Sequence, residues 1–271
     1  MAGGTWDKLT GKTRPGTYIN FESQRRDTIP INPRGTVLLP LLGHDYGPAG
    51  EYITLTCASP DAQRAKLGYS VYDTNPRMQY IREAFKKAST VKIYIPKQGS
   101  AASGVSENLT GTAEHGGERG NALTFSVVEN PSGGFDVTKF LDGEELGGVV
   151  GVSTIEELIA ADTGEWIKFS GTGDLKAPAG VKLSGGTAAT PTAADMTNFL
   201  DSSEAETWNT MAWPLAPTGE EGDTVPALME ALKTKISYLR DGVGKKRTAV
   251  VANYAADYEG IINVTNGVVL S

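Results

Sequence analysis

Asn75-Pro-Arg-Met-Gln-Tyr-Ile-Arg-Glu-Ala-Phe-Lys-Lys-Ala-Ser-Thr-Val-Lys-Ile-Tyr-Ile95 decides the fold class. Asparagine is a good helix N-cap and proline suits the first helical position, so the stretch opens as a helix. Met78, Ile81, Phe85 and Ala88 recur at helical spacing and give one buried face, with Arg82, Glu83, Lys86 and Lys87 largely off it. Thr90 to Ile95 then returns as a strand. Upstream, Thr36-Val-Leu-Leu39 and Tyr52-Ile-Thr-Leu-Thr56 also read as strands, separated by the turn-rich loop Gly43-His-Asp-Tyr-Gly-Pro48. Strand, helix, strand is the signature of an α/β unit.

From about Lys97 to Gly186 the texture changes. A glycine- and serine-rich connector leads into Leu123-Thr-Phe-Ser-Val-Val128, which alternates. Asn130-Pro-Ser-Gly-Gly134 is a turn cluster, and Phe135 to Leu141 alternates again, which predicts a β-hairpin. Glu145 to Val152 and Glu165 to Phe169 supply further strands, with a short helix from Thr154 to Ala160 between them.

From about Thr187 the α/β texture resumes. Thr192-Ala-Ala-Asp195 resembles a capping box and opens a helix carrying Met196, Phe199 and Leu200. Thr207 to Trp213 is strand-like. Pro226 to Asp241 is the strongest helix, with Leu228, Met229, Leu232, Ile236 and Leu239 as its stripe and Gly242 as its end. Arg247 to Ala252 follows as a buried strand, then Ile261 to Val264. The expectation is an α/β (or α+β) sandwich-type domain, a mixed sheet with flanking helices, interrupted by a small β-barrel-like insertion. Its boundaries are 22–96 and 188–271 for the α/β domain and 97–187 for the mainly-β insert, because insertions enter at loops whose ends lie close together.

With 271 residues, 39% hydrophobic and 21% charged, the chain can bury a genuine core. A net charge of -7 disfavours a duplex nucleic-acid binder, and no stretch reaches membrane-spanning length. Cys57 is the only cysteine, so no intrachain disulfide can form.

Catalytic signals are thin. His44 and His115 are the only histidines, which excludes a His-rich metal site. Cys57 ends an apolar strand and reads as a buried, inert thiol. Asp162-Thr-Gly164 matches the aspartic-protease tripeptide but occurs once, after a helix, and reads better as a turn. Gly242 to Arg247 hints at a phosphate loop but precedes a strand, where its amides would not face an anion. Asp257-Tyr-Glu259 reads as a polar turn. No catalytic, cofactor or metal residues are assigned. Lys245-Lys246-Arg247 reads most simply as a solvated loop after a helix C-terminus. Its sharper reading is a contact with an acidic partner surface, so all three are candidate contact residues.

The first 21 residues form a candidate extended arm ending in Thr17-Tyr-Ile-Asn-Phe21, where Tyr18 and Asn20 point one way and Thr17, Ile19 and Phe21 the other. The residues alone favour an ordinary first strand; the alternative is an arm that adds a strand to a neighbour. The opening Ala-Gly-Gly-Thr-Trp6 with Arg14-Pro-Gly-Thr-Tyr-Ile-Asn-Phe21 resembles the start of tail-sheath proteins of contractile phage tails, of the Gram-positive prophage and tail-like bacteriocin type. Gly120-Asn121, Leu183-Ser-Gly-Gly-Thr187, Phe199-Leu200 with Trp208-Asn-Thr, Lys245-Lys246 before Val250-Val-Ala252, and Asp257 to Val264 agree in order.

The resemblance implies a sleeve of subunits around an inner tube, linked by terminal arms, that contracts to drive the tube through a target envelope. It implies a virion-tail protein assembled in the host cytoplasm, whose partners are its own copies and the inner tube protein, with no enzyme activity and no cofactor. The inter-subunit residues would then be Thr17, Tyr18, Ile19, Asn20 and Phe21. In the family a C-terminal domain follows a segment like Ile261 to Leu270. Because the chain stops at Ser271, the expectation is a truncated or unusually short sheath protein lacking that domain. The alternative classes are a non-catalytic surface or adhesin-type binding module, which would carry a ligand pocket or an exposed aromatic patch on the insert and stay monomeric even in a longer chain, and a hydrolase built on Cys57 or Asp162.

Overall fold

A computed structural model describes residues 34–178 and 180–265, so the arm at Thr17–Phe21 lies outside the described residues. The chain opens with β1 (Thr36–Pro40), β2 (Tyr52–Thr56), α1 (Arg64–Leu67), α2 (Gln79–Phe85) and β3 (Thr90–Tyr94). Next come β4 (Ser103–Ser106), β5 (Leu109–Ala113), β6 (Leu123–Glu129), β7 (Phe135–Leu141), β8 (Glu144–Val152), α3 (Ile155–Ala161), β9 (Ile167–Gly171) and β10 (Val181–Lys182). It continues with α4 (Ala193–Ser202), β11 (Thr210–Ala212), α5 (Val225–Ser237), β12 (Thr248–Ala252) and β13 (Ile261–Val264). The architecture is mixed α+β.

The Asn75 carboxamide caps Arg77 N–H at 3.0 Å, and Pro76–Met78 form a 3₁₀ turn that leads into α2. The helix ends at Phe85, so Ala88 is buried from the loop beyond it. The strand that precedes this helix, β2, runs antiparallel to β3; the parallel partner of β3 is β1, in register from Thr36 opposite Thr90 to Pro40 opposite Tyr94. With β11, β12 and β13 also parallel, the sheet order is β13-β12-β11-β1-β3-β2.

Alternation gives the sheet two faces, each with a core of its own. Leu38, Tyr94, Met211, Ala249, Val251 and Ile261 meet Phe199, Leu200, Leu228, Met229, Leu232 and Ile236 of α4 and α5. On the opposite face Leu39, Ile53, Leu55, Val91, Ile93 and Ile95 meet Met78 and Ile81. The Thr192 capping box is formed in both directions, Asp195 N–H to Thr192 Oγ1 at 3.3 Å and Thr192 N–H to Asp195 Oδ2 at 2.7 Å. The stripe of α5 is buried as its spacing predicts, but the glycine in the left-handed region beyond it is Gly244 (φ 78°), not Gly242.

The segment between β3 and α4 forms two antiparallel sheets, β10-β6-β7-β8 and β4-β5-β9, on one shared core. Phe125 and Phe169 meet edge-to-face across it at 5.3 Å. Isolated bridges link the sheets at both sides, Ser103 with Ser184 at one and Thr154 with Asp174 at the other, where α3 also packs on β8 and β9. The glycine- and serine-rich stretch read as a connector holds β4 and β5.

Candidate assembly surface

Parallel sheets need cover on both faces, since crossover helices normally supply it. Here the connections through α4 and α5 both cross the same face, so among the described residues β11, β12 and β13 receive a helix on one side only. Their other side carries Ala212, Val250, Ala252, Ile262 and Val264. Ile262 is 49% exposed, Val264 37% and the adjoining Tyr80 57%. A surface hollow of 210 Å³, lined among others by Tyr80, Ala212, Val250, Ala252 and Val264, runs along this face. Three strands about 4.8 Å apart make a strip some 14 Å wide, about the diameter of one helix. Among the described residues β13 has a strand partner only on its β12 side. The strand from Arg247 to Ala252 was expected to be buried outright; it is buried at alternate positions, because among the described residues only one of its faces is covered.

The basic run divides. Lys246 is exposed, and Lys245, also exposed, donates through Nζ to the Glu204 carbonyl at 3.0 Å. Arg247 is buried, which corrects the reading of the whole run as solvated. Its guanidinium donates to the carbonyls of Ser203 at 3.1 Å and Glu206 at 2.5 Å and lies 4.5 Å from the Trp208 ring centre. Burial draws its pKa below the usual arginine value. It ties β12 to the α4–β11 connection and is spent inside the chain.

The residues considered for chemistry are likewise in structural use. Asp162 accepts from Lys139 Nζ at 2.6 Å, both side chains being buried, and from Gly164 N–H at 3.0 Å, which is the expected turn. His44 is buried with Nε2 2.8 Å from the Leu67 carbonyl. His115 stands edge-on to the Tyr46 ring at 5.4 Å. Cys57, expected to be a buried thiol, is exposed: it follows β2, past the last side chain that reaches the core. Among the described residues no group of three or more His, Cys, Asp or Glu side chains could hold a metal ion.

Comparison with known proteins places this surface in context. The family model for the phage tail sheath protein beta-sandwich domain matches residues 82–190, and that for the phage tail sheath protein central domain matches residues 189–271. The chain belongs to the phage tail sheath family. It is 37% identical over 291 residues to the phage-like element PBSX protein XkdK of Bacillus subtilis (strain 168), and 36% identical to the uncharacterized protein YqbK of the same strain. Both alignments cover 100% of this chain and 59% of the relative, so the chain spans under two thirds of the length of the curated relatives it matches. Among solved structures it is similar to the sheath tail protein of Desulfitobacterium hafniense, with a TM-score of 0.74, 36% identity and coverage of 94% of this chain and 57% of that one. The sheath tail protein of Listeria innocua gives a TM-score of 0.76 at 36% identity over 89% of this chain and 52% of that one.

Proposed function

We propose that this chain is a structural subunit of a contractile phage-tail sheath. In this reading copies polymerise around the inner tail tube in the host cytoplasm, become part of the virion tail, and contract to drive the tube through the target envelope. It has no catalytic role and takes no cofactor. The observation that carries the reading is the half of a parallel sheet left uncovered among the described residues, in a chain of the sheath family: an apolar surface of this kind marks a site of interaction. The arm Thr17–Phe21 would supply strands to neighbouring copies, and Lys245 and Lys246 a contact with an acidic neighbour.

An adhesin-type module has less support. The large apolar side chains exposed on the insert are Val105, Val128, Val150 and Ile159, with no exposed aromatic among its described residues. Electron microscopy tests the proposal on this chain alone and carried within a protein of its relatives' length. Hollow sleeves are expected from the longer form. A longer form that stays monomeric at high concentration overturns the assignment.

A further inference from the structure

The insert leaves the α/β body through two connectors that lie side by side. Ser100 N–H donates to Thr187 Oγ1 at 2.9 Å, and Thr187 N–H to the Ser100 carbonyl at 3.2 Å. Two adjacent connectors define one hinge, and relative motion about it is the default for an inserted unit. A third attachment adjoins them and reaches on into the insert. The β1–β2 loop sends Tyr46, fully buried, into the insert's own core. Its ring stacks on Trp166 with centres 5.8 Å apart and planes 23° from parallel, and its hydroxyl donates to the Trp166 carbonyl at 3.4 Å.

The insert in turn grips the loop backbone. Arg119 N–H donates to the Asp45 carbonyl at 3.0 Å, and Gln98 Nε2 to the His44 carbonyl at 2.9 Å. The Arg119 guanidinium lies 4.5 Å from the Tyr69 ring centre, donates to the Gly68 carbonyl at 3.2 Å and pairs with Asp142 at 2.6 Å. At Gly117 (φ 124°) a Cβ would stand 1.9 Å from the Asp45 carbonyl oxygen, so only glycine allows the two backbones to approach this closely.

We infer that the β1–β2 loop, plugged into the insert through Tyr46, locks the insert to the α/β body so that the two turn as one rigid piece. A third contact, made by a fully buried aromatic side chain in the insert's core, restrains the rotation that the paired connectors alone would permit. The inference goes beyond the sheath reading and holds for the isolated chain.

The natural Cys57 thiol and Ser132→Cys in the β6–β7 turn, both exposed, place one spin label on each unit. Pulsed dipolar spectroscopy then reads the spread of the distance between them. The parent should give a narrow distribution, Tyr46→Phe should keep it, and Tyr46→Ala should broaden it about twofold. In calorimetry Tyr46→Ala should also split the single transition of the parent. A broad distribution in the parent overturns the inference, as does a folded Tyr46→Ala protein as narrow as the parent. If Tyr46→Ala does not fold, Gly117→Ala, which pushes the loop off from the insert side, takes its place with the same two outcomes.

Discussion

Lys139 is a charged residue at an inward position of β7, between Val137 and Leu141, where its neighbours in sequence predict an apolar side chain. Asp162, the Glu165 carbonyl and the Phe169 ring receive it. Removing one partner strands the other charge, so Asp162→Asn should cost about 3–5 kcal/mol in urea unfolding, whereas Lys139→Met with Asp162→Leu should cost far less. The two histidines make a second residue-scale prediction. Burial holds His44 below the ordinary value, opposed by the Leu67 carbonyl and Asp45 and aided by Arg77. Burial also lowers His115, with Glu114 and Glu51 opposing and Lys168 and Lys66 assisting. The unfolded chain therefore takes up these protons first as pH falls through about 6.5, and stability declines from there toward the lower folded values. Melting temperature should drop between about pH 7.5 and pH 5, and His115→Gln should flatten the curve. Little of this was legible in the sequence. Arg247 follows two exposed lysines, and only Ser203, Glu206 and Trp208, some forty residues upstream, decide that it turns inward. Tyr46 had one signal, a large aromatic held between Gly43 and Gly47 in a loop, which is more side chain than a solvated turn needs.

Local chemistry sets the elements where it is strong. The Thr192 and Thr154 caps each close a two-way box with the residue three further on. Thr192→Ala should cost about 1 kcal/mol in thermal or chemical denaturation, and Thr154→Ala a similar amount. The α4 box, the α5 stripe and the β6–β7 hairpin were readable because each is written within a single element. Strand β5 was not. Its inward positions are Leu109, Gly111 and Ala113, and a Cβ at Gly111 would come within 2.7 Å of the Phe125 ring. The large partner lies on β6, so the strand's own inward residues are small and the alternation that marks a strand is absent. The direction of β2 was hidden for a related reason: a strand, helix and strand in succession suggest a parallel pair, and nothing in β2 itself reveals that β1 has taken the parallel place beside β3.

At the scale of the whole molecule, charge and apolar exposure are unevenly shared. Residues 97–187 hold six Lys or Arg against thirteen Asp or Glu, while the remainder of the chain is balanced. Like charge keeps the insert solvated and apart from other inserts, so close contact between copies is more favourable elsewhere. The α/β body offers the complement in the open side of β11, β12 and β13, where Val250, Ala252, Ile262 and Val264 meet water. Fully burying one such side chain is worth about 1.5–3 kcal/mol, so burying a few together favours association through this face. A charge placed there separates folding from assembly. Ile262→Lys sits on an exposed position and should change unfolding free energy by no more than about 0.5 kcal/mol. Within a protein of its relatives' length, the same substitution should abolish sleeves in electron micrographs, while Val150→Lys, also exposed but on the insert, should leave them intact. Normal sleeves with Ile262→Lys would mean that the open half-sheet is no assembly surface, and their loss with Val150→Lys would move the contact to the insert.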